Sequence, residues 1–333
     1  MPIPCHLCGV CDTEEIRSRD RHGDPLRSVI CRRCGLVWTD PRPSPDEVRQ
    51  FYERQYRVEY KGASDPRPRQ RYRNANVAIT RVRALREFLE RDARMLDVGA
   101  GSGEMVYMLR AIGCNASGIE PNEAYARYAA ESLKLPVTTG FYQDATIASG
   151  TLDVVTMYHT VEHLEQPRDA METAHRWLRP GGRLVVEVPN VEAVCQRPDQ
   201  QFHRGHLHHF NLTTLAAAAN RAGFNVTVRW TSPDGGNIAI VATKSEAPVS
   251  TPSDLSSNYV RVAHVLRSHT PWRHLLSRHP WVRPLRKLSA RADEYAHTFG
   301  TRSAEALLDE VLGRSGVTAL PPRQAQPSAS VSS

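Results

Sequence analysis

The chain lacks any run of about 18 apolar residues, which speaks against a membrane-spanning helix. Its opening residues, Met1-Pro2-Ile3-Pro4-Cys5-His6, lack both the basic and the apolar region of an export signal, so a cytoplasmic, reducing setting is expected. Lysine is scarce. Among 43 basic residues only Lys61, Lys134, Lys244 and Lys287 are lysines. The net charge of +7 hints at an anionic partner, but an arginine bias this strong reads as the base composition of a GC-rich genome, so a nucleic-acid partner is not required. Length is not lacking: 333 residues can hold one large domain with additions, or two domains, and bury a sizeable core.

The dinucleotide fingerprint Gly-x-Gly-x-x-Gly is also missing. Met95-Leu96-Asp97-Val98-Gly99-Ala100-Gly101-Ser102-Gly103-Glu104 reads as a buried strand, a turn with glycines at alternate positions, and a helix from Glu104. Glu104 stands where the third glycine would fall, and an acid there repels a pyrophosphate. The loop suits a ligand without phosphate that carries a cationic end. Asp97 ends the first strand and Glu120 the next, where a carboxylate can accept hydrogen bonds from ribose hydroxyls. Together these residues resemble the S-adenosylmethionine site of class I methyltransferases. A glycine-rich turn without a ligand is the bland alternative.

Cys5-His6-Leu7-Cys8-Gly9 and Cys31-Arg32-Arg33-Cys34-Gly35 are two copies of one knuckle. Cys5, Cys8, Cys31 and Cys34 are spaced for a structural zinc, with Cys11 a spare thiol. Disulfides are disfavoured in a chain without an export signal. Ser44, Pro45 and Glu47 signal a helix start, and Val48, Phe51, Tyr52 and Tyr56 follow. Residues 61–73 read as a basic linker. A helix from Asn74 to Glu90 should bury Val77, Val82, Leu85 and Leu89.

From there strands are expected at 94–98, 115–120, 136–139, 152–158 and 183–188, with helices near 104–112, 122–132, 167–178 and 213–222. This alternation implies a parallel sheet covered on both faces. Strands near 225–231 and 236–243, joined by Ser232-Pro233-Asp234-Gly235-Gly236, read as a hairpin at its edge. The fold class is α/β: a doubly wound, Rossmann-like, seven-stranded sheet with an antiparallel edge strand, an N-terminal zinc ribbon and a C-terminal helical extension. The expected divisions are 1–40 zinc-binding, 41–92 a helical linker or lid, 93–245 the methyltransferase domain, 246–313 the extension and 314–333 a disordered tail.

After the fourth strand comes Tyr158-His159-Thr160-Val161-Glu162-His163-Leu164, and after the fifth His203-Arg204-Gly205-His206-Leu207-His208-His209. Both segments should face the cleft. Residues 1–245 resemble a group of bacterial methyltransferases with an N-terminal zinc module, the sugar C-methyltransferases among them. That resemblance implies His206 as base and His163 as a second catalytic histidine, although Gly205 replaces the glutamate those enzymes carry. It also implies that Tyr52 and Tyr56 help close the cleft, with packing against the main domain as the alternative. The implied cofactor contacts are Asp97, Gly99, Ala100, Gly101, Gly103, Glu120, Pro121, Tyr142, Tyr158 and His159. His159, Glu162 and His163 also resemble the metal-ligand set of some small-RNA methyltransferases, which carry a carboxylate at the place of His159. Metal binding by His206 and His208, or core packing by His208 and His209, are alternatives for the second segment.

The expected reaction is transfer of a methyl group from S-adenosylmethionine to oxygen or carbon of a small molecule or carbohydrate. An RNA methyltransferase is an alternative, against which stands the absence of an Asp/Asn-Pro-Pro-aromatic motif at Tyr158-His159-Thr160. A non-catalytic cofactor-binding module is another. Residues 259–313 mix tryptophans with arginines. Helices packed on the core with arginines in water are the favoured expectation there, and weak peripheral association with a membrane or anionic partner the alternative.

Overall fold

The computed structural model describes residues 3–44, 47, 66–247, 249, 255–300 and 303–322. The strands are β1 Thr13–Arg19, β2 Pro25–Cys31, β3 Val37–Thr39, β4 Arg94–Val98, β5 Asn115–Glu120, β6 Val137–Thr139, β7 Leu152–Tyr158, β8 Leu178–Pro189, β9 His208–His209, β10 Phe224–Thr231 and β11 Asn237–Lys244. The α-helices are α1 Pro68–Leu85, α2 Glu104–Ala111, α3 Glu123–Ser132, α4 Pro167–Trp177, α5 Leu212–Arg221, α6 Ser256–Ser268, α7 Pro271–Leu276, α8 His279–Thr298 and α9 Ala304–Ser315.

Seven strands form one sheet in the order β10-β11-β8-β7-β4-β5-β6. β8, β7, β4, β5 and β6 run parallel, and β11 runs antiparallel to both β8 and β10. The reversed strand thus lies one place in from the edge, which β10 occupies. The central strands are near-continuous apolar runs because helices cover both faces: Met95, Leu96 and Val98 of β4 and Val154, Val155 and Met157 of β7 are all buried. Two apolar clusters fill the two faces of the sheet. Local chemistry sets the helix starts. Asn122 caps α3 by accepting the Tyr125 N–H, and Asn211 and Thr214 form a reciprocal capping box at α5.

A second sheet, β1-β2-β3-β9, was not anticipated as such, because β1 has no buried residue and β9 comes from far along the chain. Its last strand comes from the histidine segment, with Val37 opposite His209 and Trp38 opposite His208. The N-terminal region is therefore joined to the large domain by backbone pairing.

Several expectations change. The stretch read as a linker at 61–73 is helical from Pro68, with Tyr72 buried. Val77 points away from the core: it is 42% exposed, and Ala75, Ala78, Ile79 and Val82 are the buried positions. Within the region assigned to the extension, α6 starts at Ser256 and buries the polar Asn258. Leu320 lies in the tail expected to be disordered, yet it is buried and its N–H donates to the Ile112 carbonyl at 2.8 Å. The helices α7 and α8 bury His274 and Glu294 but leave their large apolar side chains outside: Trp272, Leu276, Trp281, Leu285 and Leu288 are all exposed. Phe51, Tyr52 and Tyr56 lie outside the described residues.

Candidate active site

A cleft of about 1330 Å³ opens beyond the carboxyl ends of β4, β5, β7 and β8, where open α/β sheets take their ligands. The first wall follows from the glycine loop. Gly99, Gly101 and Gly103 have φ of 80°, 58° and 88°, values that side chains resist. At Gly99 a Cβ would also stand 2.6 Å from Thr160 Oγ1. Gly99, Ala100 and Gly101 line the cleft. Gly103 instead packs from behind, where a Cβ would meet Leu135 and Ala129 at 2.8 and 3.0 Å.

Glu120 Oε2 accepts the Gly101 N–H at 2.8 Å and Oε1 accepts the Asn122 N–H at 3.0 Å. These bonds fix the carboxylate beside the glycine loop. Pro121 and Tyr142 line the same side. Asp97 is buried, and its Oδ1 accepts the Thr156 hydroxyl at 2.6 Å. Burial pushes its carboxyl up to about 6, against the Thr156 bond and the Arg81 charge, which pull it down.

The second wall is a chain of charged groups. His159, with φ of 52°, places Nδ1 3.2 Å from Glu162 Oε1 and Nε2 3.4 Å from Glu187 Oε1. Burial opposes charge on this ring, but the two carboxylates outweigh it and hold the imidazolium up to about 9. Glu187 is held down at about 2 in spite of burial, by His159 and Arg81. Arg81 donates to Glu187 at 2.6 Å, and its guanidinium lies 4.1 Å from the centre of the Tyr158 ring. Tyr158 lines the cleft, and burial pushes its phenol well above the ordinary range.

Glu162 Oε1 also faces His163 Nε2 at 3.7 Å and His206 Nε2 at 4.0 Å. His163 Nδ1 lies 2.5 Å from the Gly205 carbonyl. A carbonyl only accepts, so Nδ1 carries a hydrogen and Nε2 is the nitrogen turned to Glu162. Gly205 thus positions His163 through its backbone, which needs no side chain. The His206 ring lies tilted against His203, centroids 3.7 Å apart, and meets His163 edge-on at 4.8 Å. Burial, then the charges of His163 and His203, depress its basicity well below the usual value, leaving a neutral ring. His208 turns elsewhere, its Nδ1 bonded to the Leu164 carbonyl and its ring packed against His6, while His209 packs against Phe202 and meets His206 edge-on at 6.0 Å. Ligand atoms of Glu162, His163 and His206 lie within 4.8 Å of one another, a spacing a divalent cation can use. His159 is engaged between its two carboxylates.

The N-terminal sheet holds this segment in place. Thr39 N–H donates to the Leu207 carbonyl and Thr39 Oγ1 to the His206 carbonyl, at 3.0 and 3.2 Å. Below that sheet Cys5, Cys8, Cys31 and Cys34 converge with all four sulfurs within 4.8 Å. Cys5 and Cys34 approach to 3.5 Å, Cys8 and Cys31 to 3.4 Å. A tetrahedral zinc with bonds of about 2.3 Å separates its sulfurs by about 3.8 Å, so this donor set fits such an ion. The two knuckles are alike: Gly9 and Gly35 both have φ of 74° and donate to the carbonyls of Cys5 and Cys31. Asn258 of α6 donates to the Cys34 carbonyl at 2.8 Å and accepts from Asn211 at 2.8 Å, tying the second knuckle to the cap of α5.

Asn74 and Arg81 also line the cleft, and the sequence reading missed them. Their spacing of seven, two helical turns, puts them on one face of α1 together with Val77 and Ala78. A polar face recurring at that period on a helix ahead of the first central strand was the available signal.

A family model described as "Methyltransferase domain" matches residues 69–228. The chain is 25% identical over 133 residues to a "probable S-adenosylmethionine-dependent methyltransferase" of Mycolicibacterium smegmatis, covering 40% of this chain and 52% of that one. It is 29% identical over 103 residues to the ubiquinone biosynthesis O-methyltransferase of Pseudomonas aeruginosa, covering 29% and 44%. The matched part thus spans about half the length of these relatives. Among solved structures, an S-adenosylmethionine-dependent methyltransferase of Thermotoga maritima is 21% identical, with a TM-score of 0.47 over 60% of this chain and 100% of that one. Residues 69–228 therefore match a methyltransferase domain, and the relative from Mycolicibacterium smegmatis is described as S-adenosylmethionine-dependent.

Proposed function

We propose that the protein transfers a methyl group from S-adenosylmethionine to an oxygen or carbon of a small molecule or carbohydrate, and that Cys5, Cys8, Cys31 and Cys34 hold a structural zinc. The observation that carries the reading is the opposition of two walls across one cleft. On one, a loop stripped of side chains lies between Asp97 and Glu120. On the other, neutral His206 stands 4.0 Å from Glu162.

The cofactor fits the first wall. Gly99 and Gly101 allow a nucleoside to lie against backbone, Glu120 can accept ribose hydroxyls, and Asp97 with Tyr158 and Tyr142 can border the rest. When bound, the cofactor supplies an electrophilic methyl on a positively charged sulfur. The protein's own task is to align the acceptor and to take its proton. A neutral imidazole can receive that proton at Nε2, and the adjacent Glu162 carboxylate stabilises the imidazolium so formed. The His163 ring, fixed by Gly205, walls the acceptor side. The tetrathiolate site keeps no open ligand position, so its role is to hold the N-terminal sheet and, through Thr39, the His206 segment.

Titration calorimetry with S-adenosylmethionine tests the first wall: no heat of binding from folded protein would end the reading. His206→Asn tests the second. Loss of about 10² to 10⁴ in turnover at unchanged cofactor affinity is expected for a general base. A second reading rests on the convergence of Glu162, His163 and His206, which suits a divalent cation that binds the acceptor oxygen. Turnover abolished by EDTA and restored by magnesium or manganese, with zinc retained, would favour it.

A further inference from the structure

We propose that α7 and the first half of α8 form an arm that lies on an anionic lipid surface. The helix α8 is amphipathic in the reverse sense to a helix packed on its own domain. Trp281, Leu285 and Leu288 share one face at helical spacing and are 67%, 67% and 62% exposed, while Tyr295, further along the helix, lies under the Arg69 guanidinium at 5.1 Å. The polar face meets the protein instead. Tyr72 donates to Asp293 at 2.8 Å, Arg73 pairs with Glu294 at 2.7 Å, and His297 contacts Glu310 at 2.9 Å. All three contacts lie in the last two turns, and Glu294 is the buried residue of α8. From residue 281 to 293 every side chain is exposed. Before it, α7 adds Trp272 and Leu276, 77% and 88% exposed. A helix held by ion pairs at one end, with its apolar face in water, is arranged to cover something else.

Charge decides what that is. Between Pro271 and Ala292 the chain carries Arg273, Arg278, Arg283, Arg286, Lys287 and Arg291, and no acidic residue. A second copy laid apolar face to apolar face would bring another such set alongside, with no acids to oppose it. A bilayer bearing anionic headgroups supplies the missing charge, takes the aliphatic residues below the headgroups, and suits tryptophans at the interface. The arm is tied to α1, the helix whose Asn74 and Arg81 line the cleft, and Arg283 acts electrostatically on Asp234 in the β10–β11 turn. Docking would therefore bring the cleft close to the lipid surface.

The test uses the full chain and flotation with vesicles, either phosphatidylcholine alone or phosphatidylcholine with phosphatidylglycerol. Binding to the mixed vesicles and a blue shift of tryptophan emission are expected, with little binding to the neutral ones. Trp281→Ser/Leu285→Ser/Leu288→Ser should weaken binding by about tenfold or more, as should Arg283→Glu/Arg286→Glu/Lys287→Glu. The altered side chains are exposed, so unchanged thermal unfolding would verify that each variant folds. Absence of binding to either vesicle, or equal binding to both, would overturn the proposal. So would a concentration-dependent dimer in light scattering that the serine variant abolishes, with no vesicle binding.

Discussion

Thr39, in the third strand of the N-terminal sheet, donates its hydroxyl hydrogen bond to the backbone carbonyl of His206, 167 positions later and 3.2 Å away. The proposed base is thus placed by the segment that carries the four converging cysteines. Removal by a strong chelator of the zinc proposed for Cys5, Cys8, Cys31 and Cys34 should lower turnover while leaving affinity for S-adenosylmethionine unchanged, since the glycine loop lies on the other wall. A displacement near 1 Å at the reacting groups is worth about 10²-fold. Thr39→Val should give a smaller loss of the same kind. Metal content, calorimetry and turnover on the same samples check this, and a parallel loss of cofactor affinity would contradict it.

Asp97 makes cofactor binding depend on pH. Its carboxyl is raised from 3.8 to about 6. The folded protein without cofactor therefore holds this proton more tightly than the unfolded chain does. That contribution is fully present below pH 3.8 and is lost as pH rises through about 6, an effect of order 3 kcal/mol at most. A cationic ligand favours the ionised carboxylate, so binding should weaken about tenfold from pH 7 to pH 5. Calorimetry across that range checks the slope, and Asp97→Asn should flatten it.

Gly99 is constrained twice, by its φ of 80° and by Thr160. Gly99→Ala should destabilise the protein by about 1–3 kcal/mol and weaken cofactor binding. Gly150 has φ of 68° with open space around it, so Gly150→Ala carries the backbone strain alone. The difference between the two in thermal unfolding isolates the contact with Thr160, and adding Thr160→Ala should recover part of it.

Asn258 bridges the Cys34 carbonyl and Asn211 while buried. Asn258→Leu would leave polar partners buried and unmatched, at a cost of about 1–3 kcal/mol. Denaturant unfolding should show this loss, together with faster zinc release to a chelator.

The strands that carry Asp97 and Tyr158 were legible in the sequence because both faces of the sheet are covered, which makes their interiors largely apolar. The glycine loop was legible because backbone geometry restricts what can stand there. Other features depend on distance in the chain. β9 is two residues long and exists only because Trp38 and Val37 lie beside it. Nothing near His208 announces that. The role of Gly205 was hidden for a related reason, since His163 bonds its carbonyl and not a side chain. Arg81 was passed over because the apolar positions of α1 drew the reading to the face that packs.

The last described residues have a consequence for how the protein is made. Arg83 of α1 bonds the carbonyl of Ser315, 232 positions later, and Leu320 closes over Ile112. The helices that begin the methyltransferase domain leave the ribosome long before the segment that seals their outer side is translated. Until then the apolar cluster that Leu85 and Leu109 share with Leu307, Leu308 and Leu320 is incomplete, which leaves apolar surface of the nascent chain open to other chains.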